Sequence, residues 1–302
     1  MAPDHLATVD TEALLARMRP KLHRYCARMV GSVIDGEDVL QDALIKAMEA
    51  LPSVTPVNME GWLFRIAHNT ALDFLRRRNR QEALHSAEEL EMIADRLDDV
   101  ESRQIAATSL RTFMRLPVAQ RSSVILMDVL GCSLAEVCDI MDFSLPAVKA
   151  ALHRGRTQLR EFAGEPDDVP QPRLSEADRT RLNAYVSSFN ARDFDAIRGM
   201  IADDVRLELV NRTRLKGKAE VSNYFGNYSK VSDWHLVTGQ VEGRPAILVF
   251  DPNEPSGRAK YFMLLDWSAG KLATIRDFRH AAYVIDGAEC VVDGDLDELT
   301  SG

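Results

Sequence analysis

Two clusters of cationic side chains are the groups in this sequence best suited to binding a polyanion. The first cluster comprises Arg76, Arg77, Arg78 and Arg80. The second comprises Lys149, Arg154, Arg156 and Arg160. Each cluster lies at the end of a segment whose apolar residues recur every three or four positions, as on one face of a helix. Because arginine and lysine bind phosphate oxygens, the clusters predict two helices that contact nucleic acid.

The carboxylates of the chain are segregated from these clusters, although the formal net charge is −9. One acidic stretch occupies residues 82–101, between the two clusters. The other is the C-terminal segment 285–302, which carries six carboxylates and neither Lys nor Arg. This segregation allows an acidic protein to present basic surfaces to DNA.

Cysteine spacing and hydropathy give no sign of a metal, a cofactor or a membrane. The four cysteines form no CxxC pair and no cluster with histidine at metal-ligand spacing, so neither a zinc site nor a disulfide framework is predicted. No apolar run approaches the roughly 18 residues that span a bilayer. The first residues also lack the basic-then-apolar order of a secretory signal. We therefore expect a cytoplasmic protein that makes no membrane contact.

Apolar spacing in the first eighty residues predicts three helices packed against one another. Gly31 ends the first helix, Asp35 opens the second, and the third runs from about residue 58 to residue 80. The expected buried side of the third helix comprises Trp62, Ile66, Ala67, Leu72 and Leu75. An acidic, weakly periodic segment at 81–104 is interpreted as a partly helical linker.

Residues 105–163 contain two short helices separated by about four residues, which is the spacing of a helix-turn-helix. Ser133 and Glu136 predict a capping box at the start of its first helix. Ser144 and Pro146 are suited to the start of the second helix. Small residues and cations remain on the outer face of that helix, which could enter a major groove while contacting phosphates.

The order of these segments resembles that of extracytoplasmic-function (ECF) sigma factors over residues 12–162. DGEDVLQDALIKAMEAL resembles the polymerase-binding helix of that family, and EGWLFRIAHNTALDFLRRRNR is similar to the helix that meets the minus-10 promoter element. The segment from Leu116 to Glu161 resembles the domain that reads the minus-35 element. The resemblance implies a sigma region 2 at residues 1–80 and a region 4 at residues 105–163.

This resemblance implies a role for individual side chains. Core RNA polymerase would be bound by Asp38, Gln41 and Asp42. The non-template strand of promoter DNA would be contacted by Arg65, His68, Asn69, Arg76 and Arg77. The recognition helix would contact promoter DNA through Lys149, His153, Arg154 and Arg156. All of these roles are binding roles, so no catalytic residue and no enzymatic activity are expected.

The C-terminal third has a different pattern, which begins after a Pro-rich joint at 164–173. Two predicted helices are followed by strand-like runs separated by Gly/Pro turns, the order of an α+β domain with a curved sheet. The stretch 174–285 resembles the SnoaL-like branch of the nuclear transport factor 2-like superfamily. An acidic tail at 286–302 follows. The predicted fold is therefore two all-α domains, the second with a helix-turn-helix, and then an α+β cone.

The resemblance to SnoaL-like proteins implies a cone that encloses a pocket for a small apolar ligand. The candidate polar groups of such a pocket are Asp266, Asp277, Tyr224, Tyr261 and His280. Catalysis, ligand sensing and contact with other protein domains all stay open for this domain. We expect it to pack against the DNA- and polymerase-binding domains and to alter their spacing, in place of a separate anti-sigma factor.

Two other functions remain open at this point. An operator-binding helix-turn-helix regulator would bind duplex DNA without polymerase and would not need the two N-terminal motifs. A SnoaL-like enzyme with a helical appendage would turn over a substrate by itself.

Overall fold

The computed structural model describes residues 4–83, 109–163, 174–254 and 257–293. It divides into two compact units, Met1–Asp168 and Val169–Gly302. The predicted linkers at 81–104 and 164–173 fall outside the described residues, apart from residues 81–83, which continue a helix. The first unit is helical and the second combines helices with one sheet. These observations confirm the predicted fold class.

The first helical group consists of α1 (Asp4–Val30), α2 (Val33–Ala50), a short 3-10 turn (Leu51–Ser53) and α3 (Met59–Ala83). Gly31 ends α1 as predicted, with a φ of +81° that favours glycine. The predicted start of α2 at Asp35 was wrong by two residues. Ser32 is the N-cap instead, and its Oγ accepts a hydrogen bond from the Asp35 N–H at 3.1 Å.

Helices α1 and α2 cross closely because Gly36 has no side chain. A Cβ at position 36 would lie 2.6 Å from the Cα of Ala27 and 2.7 Å from its backbone nitrogen. This approach allows Leu22, Ile34 and Leu40 to be fully buried. The core of the first helical group therefore depends on a backbone-to-backbone contact as well as on apolar burial.

The buried side of α3 is wider than the apolar spacing predicts. Ala67 and Leu75 are buried as expected, but Trp62, Ile66 and Leu72 are only half-buried. The fully buried residues that the pattern missed are Leu63, Phe64 and Ala71. The physical reason is that α3 is covered from two sides, by α1 and α2 and by a helix from the second helical group.

The second helical group consists of α4 (Leu110–Met114), α5 (Val118–Val124), a π turn (Ile125–Val129), α6 (Leu134–Met141) and α7 (Leu145–Ala163). Helices α6 and α7 form the predicted helix-turn-helix. The predicted capping box is confirmed, because Ser133 Oγ accepts from the Glu136 N–H while Glu136 Oε2 accepts from the Ser133 N–H at 2.7 Å. Val137, Ile140 and Val148 are buried between the helices.

The second unit contains three helices and a seven-stranded sheet. Its elements are α8 (Glu176–Asn190), α9 (Phe194–Met200), β1 (Ile201–Leu209), β2 (Thr213–Lys216), α10 (Lys218–Tyr228), β3 (His235–Val241), β4 (Arg244–Phe250), β5 (Tyr261–Ser268), β6 (Lys271–Asp277), a 3-10 segment (Arg279–Ile285) and β7 (Cys290–Val292). The strand order is β2-β1-β6-β5-β4-β3-β7. Pairing is antiparallel except between β1 and β6.

Strands β4, β5 and β6 match the runs that the sequence predicts, whereas β2 and β7 are not predicted. β7 lies in the segment interpreted as an acidic tail, where Cys290 pairs with Val241 of β3. Strands this short carry too few residues for an alternating pattern to stand out. An ion pair between Arg179 and Asp293, at 2.6 Å, ties the end of β7 to α8.

We expect Gly36→Ala to destabilise the first helical group, since the added methyl group would overlap the α1 backbone. The expected loss is roughly 1–3 kcal/mol of unfolding free energy, the usual cost of overpacking. Thermal unfolding followed by circular dichroism measures it. The matched control is Gly226→Ala in α10, where an added Cβ meets nothing within 4 Å. Equal melting temperatures for the two variants would contradict the close crossing.

Candidate polymerase and nucleic-acid interfaces

One exposed stripe of α2 brings together the residues predicted to bind polymerase. Asp38 and Asp42 are exposed on it, and Gln41 is half-buried. The stripe continues through Ile45 and Met48, whose exposed fractions of 44% and 53% are high for large apolar side chains. Residues three or four positions apart share one helix face, so these five side chains form a single surface, which we call the α2 stripe. The sequence prediction missed its apolar half.

Three of the predicted DNA contacts on α3 are exposed cations. Arg76 and Arg77 have side chains that are 68% and 57% exposed, with weak ion pairs to Asp73 at 3.3 Å and to Asp42 at 3.9 Å. Arg65 is exposed as well, but its Nε donates to the backbone oxygen of Asp139 at 2.8 Å and its Nη2 donates to the same oxygen. Arg76 and Arg77 are thus available to a phosphate, whereas Arg65 is engaged by α6.

His68 lies inside the unit, although it was predicted to face DNA. Its side chain is buried, and its Nδ1 lies 2.7 Å from the hydroxyl of Tyr25 and 3.2 Å from that of Ser122. Burial lowers the pKa of His68 to about 4, and the Arg76 charge adds to this effect. The imidazole is therefore neutral at neutral pH. Asn69, the next residue, points outward and is exposed.

Helix α7 carries cationic side chains of two kinds: some are exposed or half-exposed, and one is paired with a buried carboxylate. Lys149 is exposed, and His153 and Arg154 are half-exposed. Arg156 instead forms a two-pronged ion pair with Asp128, with Nη2–Oδ1 and Nε–Oδ2 distances of 2.6 and 3.0 Å. The Asp128 side chain is only 2% exposed. This pair connects α7 to the π turn, and sequence reasoning missed it because the partners are 28 positions apart.

A buried carboxylate lies at the centre of the second unit. Asp277 is fully buried, and its Oδ2 accepts hydrogen bonds from the hydroxyls of Tyr224 and Tyr228, both at 2.8 Å. Its Oδ1 accepts from the backbone N–H of Arg279 at 2.8 Å. Burial raises the pKa of Asp277, and these hydrogen bonds oppose the shift.

The tyrosine Tyr228, which binds this carboxylate, belongs to a cluster of aromatic side chains. The ring centroid of Phe189 lies 5.0 to 5.6 Å from those of Tyr185, Phe194, Tyr228 and Trp234. The predicted partner Tyr261 belongs to the cluster, since its hydroxyl lies 3.2 Å from that of Tyr228. Asp266 and His280 are exposed and lie outside it. Sequence reasoning therefore found three members of the cluster and missed Tyr228 and Arg279.

Two open clefts on the second unit are lined by a mixture of charged and apolar residues. One of about 430 Å³ is bordered by Arg181, Arg244, Asp266 and Trp267. The other, of about 550 Å³, is bordered by Asp203, Asp204, Arg206, Lys218 and Lys271. About half of the lining residues of each cleft are charged, whereas a pocket for an apolar ligand is lined mainly by apolar side chains.

Within the described ranges, no three His, Cys, Asp or Glu side chains are grouped in a way that could hold a metal ion. Among the helices of those same ranges, none combines the length and apolar character that crossing a membrane requires.

The geometry defines a helical unit that carries a helix-turn-helix and a second unit that combines helices with one sheet. Residues 14–81 match the family model for Sigma-70 region 2, and residues 110–159 match that for Sigma-70, region 4. The chain is 29% identical over 165 residues to the ECF RNA polymerase sigma factor SigE of Mycolicibacterium smegmatis, covering 53% of this chain and 63% of SigE. It is 31% identical to SigW of Bacillus subtilis, covering 47% of this chain and 83% of SigW. The chain belongs to the ECF RNA polymerase sigma factors.

Solved structures resemble both units. The ECF sigma factor SigJ of Mycobacterium tuberculosis is 16% identical, with a TM-score of 0.35, and the match covers 88% of this chain and 95% of SigJ. A putative ketosteroid isomerase from Kribbella flavida is 19% identical, with a TM-score of 0.27, and the match covers 34% of this chain and 77% of that protein.

Arg156→Ala should destabilise the helix-turn-helix, because it leaves the carboxylate of Asp128 buried without its partner. The expected loss is roughly 3 kcal/mol, the lower end for breaking a buried pair. Differential scanning calorimetry measures it. Lys149→Ala on the same helix is the control and should leave the melting temperature unchanged. A stable Arg156→Ala variant that binds DNA less tightly would instead show that Arg156 is a DNA contact.

Proposed function

We propose that this chain directs core RNA polymerase to specific promoters and starts transcription there, and that its second unit modulates this activity. The observation that carries the proposal is the presence, on one helical unit, of an acidic and apolar stripe on α2 and of exposed cations on α3 and α7. A protein that only bound operator DNA would not need the α2 stripe.

The α2 stripe is suited to a protein partner. Exposed Ile45 and Met48 can be desolvated against an apolar patch, and this usually supplies most of the energy of an interface. Asp38 and Asp42 lie beside them and favour a basic partner surface, which steers association and fixes orientation. The proposed partner surface on core polymerase is therefore apolar at its centre and basic at its rim.

The cations of α3 and α7 are suited to the two promoter elements. Arg76 and Arg77 have exposed guanidinium groups that can neutralise the phosphates of a separated strand. On α7, Lys149, His153 and Arg154 lie on the outer face of the helix-turn-helix, where side chains can reach base edges in a major groove. Asn69 completes the proposed strand-contacting surface on α3.

We infer that the second unit acts as a regulator and not as an enzyme. Asp277 is fully buried, and three donors bind its two oxygens. A general base must lie within reach of a substrate proton, so the burial of this carboxylate favours a structural role. A regulatory contact with the helical unit is the proposed activity. Binding of a small apolar ligand by this unit stays a prediction that rests on the sequence resemblance alone.

The double substitution Ile45→Ser and Met48→Ser should weaken binding to core RNA polymerase by roughly tenfold, because it removes apolar contact area at the centre of the interface. Both side chains are exposed, so the fold should be unaffected. Fluorescence anisotropy of the labelled chain titrated with core polymerase measures the affinity. The control is Val57→Ser, which removes an apolar side chain that is fully exposed outside the stripe. Equal affinities for both variants would contradict the proposed surface.

Run-off transcription with bacterial core polymerase on genomic promoter fragments tests the whole proposal. The full chain should yield specific transcripts, and a chain of residues 1–169, which ends at the boundary between the two units, should yield a different amount. The sign of that difference gives the sign of regulation. Equal output and equal polymerase affinity for the two chains would contradict a regulatory second unit. Absence of both transcript and polymerase binding would favour an operator-binding regulator.

A further inference from the structure

Strands β4 and β5 separate part-way along the sheet of the second unit. Their antiparallel pairing covers only three residue pairs and stops at Ile247–Met263. Both strands continue past this point, β4 as far as Arg244 and β5 as far as Ser268. Among the described strands, none pairs with this side of β5 beyond Met263, although β6 pairs with its other side. The sheet therefore contains a split in which two strand edges face each other.

Pro245 accounts for the end of this pairing. Glu242 and Gly243, both with positive φ, form a two-residue turn, and the Val241–Arg244 pair closes it. The closing pair of such a hairpin exchanges both hydrogen bonds, so the backbone polar groups of the next residue, Pro245, are directed towards β5. Proline has no N–H, so a donor is missing at this position of the ladder. The edge of β5 is thus left for another extended segment to pair with.

The split opens into the cleft of about 430 Å³, which we call the β4–β5 groove. Leu182, Leu265 and Trp267 line it with apolar side chains, and the two leucines are almost completely buried. Arg181 and Arg244 also border it, and both are exposed. The groove therefore combines apolar side chains with cations at its rim.

Positive charge exceeds negative charge in this groove. Arg276 is its third arginine, whereas Asp178 and Asp266 are its two carboxylates. The Asp178 carboxylate accepts a hydrogen bond from the hydroxyl of Ser175 at 2.6 Å and lies 4.0 Å from Arg181, at the limit of an ion pair. An acidic ligand is thus favoured over a basic one.

The chain itself supplies an acidic segment next to the groove. Residues 294–302 lie outside the described residues and follow Asp293, whose carboxylate accepts from Arg179 of α8 at 2.6 and 2.9 Å. Arg179 is the immediate neighbour of Asp178, which lines the groove. Nine extended residues span up to about 30 Å, whereas a helix with its side chains is about 10–12 Å across. The segment is therefore long enough to pass α8 and to run along β5.

The composition of this segment complements the groove. Its sequence, GDLDELTSG, contains three carboxylates and two leucines, and neither Lys nor Arg. Successive side chains of an extended segment point to opposite faces, so Asp295 and Asp297 share one face and Leu296 lies on the other. The first face suits the arginines of the rim, and the second suits the apolar side chains of the groove.

We propose that residues 294–302 pair with the edge of β5 in the β4–β5 groove, as an added strand of the sheet. In this binding mode the backbone hydrogen bonds supply affinity and the side-chain contacts supply selectivity. The ligand class of the groove is therefore an extended acidic peptide with interspersed apolar residues. The inference concerns the second unit alone and does not depend on the proposed sigma-factor function.

Hydrogen exchange of the full-length chain, followed by NMR, tests the backbone pairing. The comparison is with a charge-reversed chain that carries Asp295→Lys, Asp297→Lys and Glu298→Lys. Amides of residues 264–267 that point away from β6 should exchange at least roughly tenfold more slowly in the unsubstituted chain, because pairing protects them. Amides of residues 271–277, which lie between two paired strands, are the internal control and should exchange equally. Equal exchange at residues 264–267 would overturn the proposal.

A fluorescein-labelled peptide of residues 294–302 tests the groove itself by fluorescence anisotropy. It should bind the full-length charge-reversed chain at least roughly tenfold more tightly than the unsubstituted chain, whose own segment competes at high effective concentration. Adding Arg181→Ser and Arg244→Ser to the charge-reversed chain should weaken binding roughly tenfold, because the cations of the rim are lost. The matched control adds Arg212→Ser and Lys230→Ser, which remove two exposed cations outside the groove and should leave the affinity unchanged.

Three outcomes of the peptide titration would contradict the proposal. The peptide could fail to bind the charge-reversed chain, or it could bind both chains equally, so that the chain's own segment does not occupy the groove. Equal losses in the two double variants would show attraction by net charge alone. Neither measurement involves polymerase, so a negative result leaves the sigma-factor proposal standing.

Discussion

The hydroxyl of Tyr25 joins three helices of the first unit, and the arrangement of that unit depends on it. One buried oxygen contacts His68 on α3 and Ser122 on α5 while its ring packs edge-on against Phe64. Burial raises the pKa of Tyr25 and lowers that of His68 to about 4, so both groups stay neutral. A neutral network can be sealed from water without the cost of desolvating a charge.

Charge is used in two different ways around this network. Arg121 is buried and donates to a backbone oxygen at the C-terminal end of α1, whereas the half-buried Arg156 pairs with the carboxylate of Asp128. Arg76, Arg77 and Lys149 are exposed to solvent. The cationic clusters of the sequence therefore contain both side chains that hold the helices together and side chains that are exposed.

The second unit is also built around a buried polar group, which here is a carboxyl group. The carboxylate of Asp277 is buried beneath aromatic rings, and the hydroxyls of Tyr224 and Tyr228 supply the donors that water would otherwise provide. Asp277 lies at the end of β6, and β7 extends the sheet at the edge of β3. A core built around a satisfied polar centre can specify one arrangement of α8, α10 and the sheet.

The sequence by itself determined the features that depend on neighbouring residues. Gly31 ends α1 and the Ser133–Glu136 pair caps α6 because these signals act within one helical turn. The apolar period also predicted the helix-turn-helix and the α+β order of the second unit. The tertiary structure decided which polar side chains are buried. His68 meets Ser122 across 54 positions, and Arg156 meets Asp128 across 28. No local pattern encodes such pairings, because they arise only when separate helices pack and exclude water.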